Sequence, residues 1–219
     1  MYQGALQLIT PPAVEPVVLA DAKLFLRLDT AADDAMVTAL IVAARRRVEA
    51  ITARALITQV WKYYLDAFPG GDFWSLSRPL GVRPLHREIY SLPHQLAIQV
   101  PLPPLQSVAS VKYIDPAGIL QTLDPTLYTV DAISEPARIV PAYGTWWPLT
   151  QAVPNAVQVQ FTAGYGADGT FVPAELVAAL KLVCATLYEN RQTVLIDATA
   201  VELPFGADAL LMPYRAAMI

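Results

Sequence analysis

Asp33-Asp34-Ala35-Met36-Val37-Thr38-Ala39-Leu40-Ile41-Val42-Ala43-Ala44-Arg45-Arg46-Arg47-Val48-Glu49-Ala50-Ile51 decides how the rest of the chain is read. Val37, Leu40, Ile41, Ala44, Val48 and Ile51 recur at spacings of three and four, the period of a helix with one apolar face. Asp33 stands where an N-cap belongs, and Asp34 adds negative charge at the end of the helix that the dipole makes positive. Successive helical residues lie ~100° apart, so Arg46 points away from the apolar face while Arg45 and Arg47 flank it. Arginines spread in this way do not make one phosphate pocket. They read as a solvated or subunit-contacting face, with Arg45 placed to pair with Glu49 one turn later.

Working outward, Leu19–Leu28 reads as a short helix, and Tyr2–Pro16 as an extended arm held away from helix by Pro11, Pro12 and Pro16. A second long helix opens at Pro173, a residue tolerated in a first turn. Leu176, Val177, Leu180, Val183, Cys184, Leu187 and Tyr188 form its apolar stripe. Between the helical blocks the period changes. Ile57–Phe68, Leu96–Val100, Val108–Ile114, Ile119–Thr122, Tyr128–Val130, Arg138–Pro141 and Val157–Phe161 read as short strands. Asp115-Pro116-Ala117-Gly118 has the proline and glycine of a type I turn and joins two of them as a hairpin. Phe73–Gln95, with Pro79, Pro84 and Pro93, reads as a long surface loop.

Neither helical block is expected to fold alone. The expectation is therefore a single α+β domain. Its N- and C-terminal helices (17–55 and 173–192) pack as a small bundle, with an antiparallel β-sandwich or barrel-like insertion (56–168). An extended C-terminal tail (201–219) follows, with one helical turn at most between Pro204 and Pro213. A tail this short and apolar needs a surface, on this chain or another.

At 219 residues the chain is long enough to bury roughly 70% of its unfolded surface. Apolar residues are 55% and charged residues 16% of it, against ~45–50% and ~25% ordinarily. The mean hydropathy of +0.40 would suit a membrane protein. However, Thr38, Lys181 and Thr186 interrupt the most apolar runs, and a span needs ~20 apolar residues. Met1–Thr10 has no basic start, so no signal peptide is expected. Surplus apolar residues in a chain with few charges are expected to be covered by further copies, because obligate interfaces resemble a divided core. The net charge of −4 argues against a broad grip on phosphates.

Catalytic chemistry finds little support. Structural zinc wants four Cys or His ligands; this chain has one Cys and two His, His86 and His94, both in the proline-rich loop. No Gly-x-Ser-x-Gly elbow surrounds Ser75, Ser77 or Ser91. Cys184 sits on an apolar helical face, where a thiol is inert packing. Gly164-Tyr165-Gly166 lacks a following Gly-Lys-Ser/Thr and reads as a turn that ends a strand. No enzyme, metal or cofactor is expected. Trp146 and Trp147 are read as contact residues that anchor an interface. An alternative is a carbohydrate- or ligand-binding β-domain that uses both tryptophans and the 70–95 segment.

One ordered set of residues resembles a known family. It begins with Pro16-Val17-Val18-Leu19-Ala20-Asp21-Ala22-Lys23 and Leu26-Arg27-Leu28, then Asp33-Asp34 leading to Ala43-Ala44-Arg45-Arg46-Arg47-Val48-Glu49. Arg54-Ala55-Leu56-Ile57-Thr58-Gln59-Val60-Trp61, Pro103-Pro104-Leu105-Gln106-Ser107-Val108 and Val111-Lys112-Tyr113 follow. The set closes with Ala163-Gly164-Tyr165-Gly166, Pro173-Ala174, Tyr188-Glu189-Asn190-Arg191, Leu203-Pro204-Phe205-Gly206 and Tyr214-Arg215. In this order and over nearly the whole chain, it is similar to the head–tail connector (adaptor, or head-completion) proteins of tailed bacteriophages. Two departures are visible: the Gly70–Gln95 segment is longer than the family usually carries, and Ala53 stands where a helix-ending Gly is expected.

The resemblance implies a non-enzymatic virion protein at the portal vertex or neck, assembled in the host cytoplasm. Its copies would form a ring, typically twelve-fold, beneath the portal protein and continue the DNA channel. DNA would pass through the lumen without sequence-specific binding, and the far side would meet a tail-side stopper or tail-terminator protein. The C-terminal segment is similar to the part that reaches the portal, which implies docking by Leu203, Pro204, Phe205, Leu210, Leu211, Tyr214 and Arg215. On that basis, removal of Leu203–Ile219 is expected to abolish portal binding and leave the fold intact. Arg45, Arg46, Arg47, Trp146 and Trp147 remain the candidate subunit contacts.

Overall fold

The computed structural model describes residues 4–70, 96–190 and 205–216. The expected loop Phe73–Gln95, both histidines, Leu203 and Pro204 lie outside the described residues. Contacts group the chain into two compact units, one built from residues 12–58 with 164–216 and the other from 1–11 with 59–163, apart from the last three residues of the chain.

The first unit is helical. It contains α1 (Leu19–Leu26), α2 (Asp34–Thr52), α3 (Ala174–Glu189) and α4 (Phe205–Leu211). The period read from α2 is realised in packing. Val37, Ile41, Ala44 and Val48 share one core with Leu176, Ala179, Leu180, Val183 and Cys184 of α3, while Leu40 and Ile51 pack at its margin. Each large apolar side chain so buried contributes ~1.5–3 kcal/mol, and this outweighs helix propensity in holding elements of such length. α4 corrects the expected tail. Phe205–Leu211 is helical, continues as a 3-10 turn at Met212–Tyr214, and delivers Ala207 and Leu211 to the same core.

The ends of α2 are instructive. Asp33 occupies the N-cap position without capping through its side chain; its carboxylate instead accepts a 2.6 Å hydrogen bond from the Tyr188 hydroxyl of α3. Ala53 closes the helix in the left-handed region, at φ 52° and ψ 38°. It thus takes the conformation that a glycine takes at no steric cost. Replacing Ala53 by Gly is expected to stabilise the protein by about 0.5–1 kcal/mol, since the relief of left-handed strain (~1–2 kcal/mol) exceeds the added unfolded-state entropy. A rise in the urea midpoint at unchanged slope would measure it; a fall would show that Ala53 is unstrained.

The second unit is made of two antiparallel sheets. β1 (Ala5–Thr10), β2 (Gln59–Leu65), β8 (Val157–Ala163), β4 (Leu105–Ile114) and β5 (Leu120–Thr122) form one, in the order β1-β2-β8-β4-β5. β3 (Ile98–Val100), β7 (Ala137–Pro141) and β6 (Tyr128–Asp131) form the other, in the order β3-β7-β6. The protein is therefore α+β, as expected, but neither sheet closes on itself and the barrel reading is not realised. Val157, Val159, Phe161 and Ala163 alternate inward along β8, each fully buried, as the period-2 pattern of a half-buried strand demands.

The hairpin at Asp115 forms as read. Gly118 N–H donates to the Asp115 carbonyl at 2.9 Å, and β4 pairs β5 from Ile114↔Leu120 to Lys112↔Thr122. The Asp115 carboxylate accepts from the Gln121 amide and from the N–H groups of Ile119 and Ala117, which holds its carboxyl below the usual range. The N-terminal arm, by contrast, is an edge strand: Ala5↔Tyr64 through Leu8↔Trp61 pair antiparallel with β2.

Candidate interaction surfaces

Of the three consecutive arginines, the structure separates one from two. Arg45 is not a surface residue. Its side chain is 6% exposed, its Nε donates to Glu15 at 2.7 Å and its Nη1 to Glu49 at 2.6 Å. The other Glu49 oxygen accepts from the Leu56 N–H at 3.0 Å. The expected Arg45–Glu49 pair thus exists, but inside the unit, because Glu15 approaches from the other side. Arg46 and Arg47 are exposed.

The two tryptophans also divide. Trp147 stacks on buried Phe68, with ring centroids 4.7 Å apart and planes 7° from parallel, and its Nε1 donates to the Leu96 carbonyl at 2.7 Å. One face of its ring and its polar atom are therefore committed to the fold. Trp146 is 39% exposed, beside Tyr143 at 98% and Leu149 at 73%. This segment exposes large apolar side chains, but the two tryptophans are not a paired aromatic clamp.

At the C-terminus the residues assigned to docking fall into three groups. Leu203 and Pro204 lie outside the described residues, and Phe205 begins α4. Leu211 is fully buried, and Leu210 and Tyr214 pack against the core. Met212 at 62% exposure, with Pro213 and Arg215, faces outward. Arg54 Nε donates to the Tyr214 carbonyl at 2.6 Å, and the Tyr214 hydroxyl donates to Glu175 at 2.9 Å. The Glu175 carboxyl, held by its own backbone N–H and by that hydroxyl, titrates below its usual range. Arg215 pairs with Asp208 at 2.7 Å.

Cys184 is a core thiol, and burial pushes its pKa up. Among the described residues, no group of three or more His, Cys, Asp or Glu could hold a metal ion, and no helix is long and apolar enough to cross a membrane.

The sequence reading missed one surface. Phe25 of α1, Gly169, Val172, and Ala174, Val177, Ala178, Lys181 and Leu182 at the start and outer side of α3 line an open groove of about 630 Å³. The signal was present in α1, where Leu24 and Phe25 are adjacent. Both stand in water, Leu24 at 81% and Phe25 at 45% exposure.

No family model matches the chain, and no curated protein matches it significantly. Solved structures do. The chain is similar to one in the "Neck of empty GTA particle computed with C6 symmetry", at 25% identity and TM-score 0.73, over 98% of this chain and 97% of that one. It is similar to another in the "Virion of native gene transfer agent (GTA) particle", at 24% identity and TM-score 0.70, over 98% and 96%. A third, in the "Neck of native GTA particle computed with C12 symmetry", matches at 23% identity and TM-score 0.64, over 97% of each. The resemblance to connector proteins that the ordered motifs carry is thus met by a likeness of fold along nearly the full length of both chains.

Proposed function

We propose that this chain, which has the fold of neck proteins of phage-like particles, is a structural virion component. In this reading it forms a ring that joins the portal to the tail and continues the channel for DNA. The observation that carries it is the likeness, end to end, to chains in particle necks computed with sixfold and twelvefold symmetry. Two physical features support it. Large apolar side chains stand exposed on both units, Leu24 and Met212 on the helical one and Ile133 and Tyr143 on the sheet one, and contacts with neighbouring copies and with the portal would cover them. The net charge of −4 suits a passage that DNA must traverse without being held.

Docking to the portal is assigned to the outward side of the C-terminal segment, with Met212, Pro213 and Arg215 exposed and Leu210 and Tyr214 half-buried behind them. Leu211 supports this segment from within. Arg46, Arg47 and Trp146 remain subunit contacts, whereas Arg45 and Trp147 position their neighbours. On the tail side the partner would be a stopper or terminator protein.

The direct test is electron microscopy of particles from cells that carry an epitope-tagged copy of the chain. The tag is expected at the neck, in cyclic symmetry. Labelling of the capsid shell or the distal tail would overturn the assignment. A co-purification with the particle's own portal protein isolates the docking claim: substitution of Met212 and Arg215 by Glu should lower recovery at least tenfold without loss of the fold.

A further inference from the structure

We infer that residues 212–216 are a strap that lifts off Arg54 as a unit while α4 stays seated, and that the contact between the Tyr214 hydroxyl and Glu175 is its catch.

Two kinds of contact hold the C-terminal segment, and they change over at Met212. Up to Leu211 the contacts are apolar: Ala207 and Leu211 are fully buried in the core shared with α2 and α3. Beyond it Met212 is 62% exposed, and Pro213 and Arg215 also face water. Among the side chains of the strap, Tyr214 packs at the core margin. What fastens the strap is otherwise polar. Arg54 Nε donates to the Tyr214 carbonyl at 2.6 Å, the Tyr214 hydroxyl to Glu175 at 2.9 Å, and the Ala216 N–H to the Thr52 carbonyl at 2.9 Å.

The two kinds differ in what breaking them costs. Lifting Leu211 out would leave a cavity in a close-packed interior. The polar contacts lie at or near the surface, where water can replace either partner, and a bond exchanged for water contributes only a small net free energy. The Arg215–Asp208 pair joins the strap to α4, but its side chains are 46% and 39% exposed, and a pair so exposed contributes little. Arg54, only 8% exposed, is not stranded when the strap leaves, because its Nη1 also donates to the Tyr165 hydroxyl at 3.3 Å. Proline marks the boundary. Pro213 has no N–H with which to extend the ladder of α4, and the helix gives way to a 3-10 turn at Met212. Segments of a native protein open separately where buried apolar contacts are few. The strap meets that condition and α4 does not.

Two of the fastenings carry an ionised partner and are therefore stronger than bonds between neutral groups: Arg54 to the Tyr214 carbonyl, and the Tyr214 hydroxyl to Glu175. Only the second runs through a side chain of the strap, and it is anchored on the first turn of α3, where the helix dipole favours a carboxylate. That makes it the catch.

The test follows amide hydrogen exchange by NMR in the full chain at neutral pH, in the parent and in Tyr214→Phe and Leu211→Ala. The reporters are the Ala216 N–H and the amides of the last turn of α4. Circular dichroism confirms that each variant is folded. In the parent, Ala216 is expected to exchange faster than α4. Tyr214→Phe removes one oxygen and keeps the ring at the core margin. It should speed exchange at Ala216 by about tenfold or more and leave α4 unchanged, whereas Leu211→Ala should speed both. Equal rates at Ala216 and α4 in the parent, or a rise at both in Tyr214→Phe, would reveal one cooperative unit and overturn the strap. An Ala216 rate that Tyr214→Phe leaves unmoved overturns the catch.

Discussion

Removal of residues 205–219 is expected to destabilise the helical unit by at least about 4 kcal/mol, not merely to strip a docking tail from an intact fold. Leu211 and Ala207 are both fully buried in the core that α2 and α3 share. Truncating one buried leucine to alanine costs ~2.7–5 kcal/mol, through lost transfer energy and the cavity left behind. Deleting α4 removes that side chain entirely and exposes the apolar surfaces it covers. It also leaves Arg54, a residue 8% exposed, without the Tyr214 carbonyl that its Nε engages at 2.6 Å, and the Thr52 carbonyl without its 2.9 Å bond from the Ala216 N–H. Domains of this size have ~5–15 kcal/mol in total, so the truncated chain should melt at a much lower temperature or fail to fold. Leu211→Ala alone should cost about 3 kcal/mol and Met212→Ser almost nothing. Thermal melts followed by circular dichroism separate the cases. A truncated chain that melted with the parent would show that α4 lies on the unit without being part of it.

This outcome reverses what the sequence suggested for the tail, and the reason is physical. Pro204 and Pro213 bracket a stretch too short for periodicity to show a helix, and the evidence for burial lies in partners on α2 and α3 far away in sequence. Where burial and local pattern coincide, the reading succeeded. The stripe of α2, that of α3 except Leu187 (38% exposed), the Asp115 hairpin and the strand at Val157–Phe161 appear at the expected places, because each is encoded within a few consecutive residues.

β1 escaped for the opposite cause. Nearly all of its residues are exposed, so no inward-facing alternation marks it, and the prolines after it dominate the local signal. What fixes it is long-range: Gly4 lies so near the Tyr64 carbonyl that an added Cβ would stand 1.8 Å from that oxygen. Trp147 is similar. Its sequence neighbours suggest a surface aromatic pair, while its stacking partner Phe68 is remote in the chain. Sequence motifs thus gave the resemblance and its ordered course, whereas the division of each candidate pair into a buried and an exposed member needed coordinates.

Arg45 is where that division has its largest electrostatic consequence. Arg45→Met is expected to cost about 3 kcal/mol, although the sequence places Arg45 and Arg47 alike at the flanks of the apolar face. The guanidinium lies between Glu15 and Glu49, whose side chains are 24% and 14% exposed, while its own is 6% exposed. Removing the cation takes from Glu15 and Glu49 the guanidinium that engages both, and breaking such a pair costs ~3–5 kcal/mol when fully buried. The lower end applies because Glu15 retains some water. Neutralising Glu49 as well should then recover part of the loss. Arg45→Met with Glu49→Gln should lose clearly less than Arg45→Met alone, since the glutamine carbonyl oxygen can still accept the Leu56 N–H. Arg46→Ala and Arg47→Ala, on the exposed side of the same helix, should stay within about 0.5 kcal/mol. Urea denaturation of the four variants at two salt concentrations provides the comparison. Salt should change the Arg45 penalty little, because screening acts weakly on buried pairs. Equal losses at positions 45, 46 and 47, or a double variant no better than Arg45→Met, would show that the Glu15–Arg45–Glu49 arrangement is a surface pairing and that the arginine run is uniform after all.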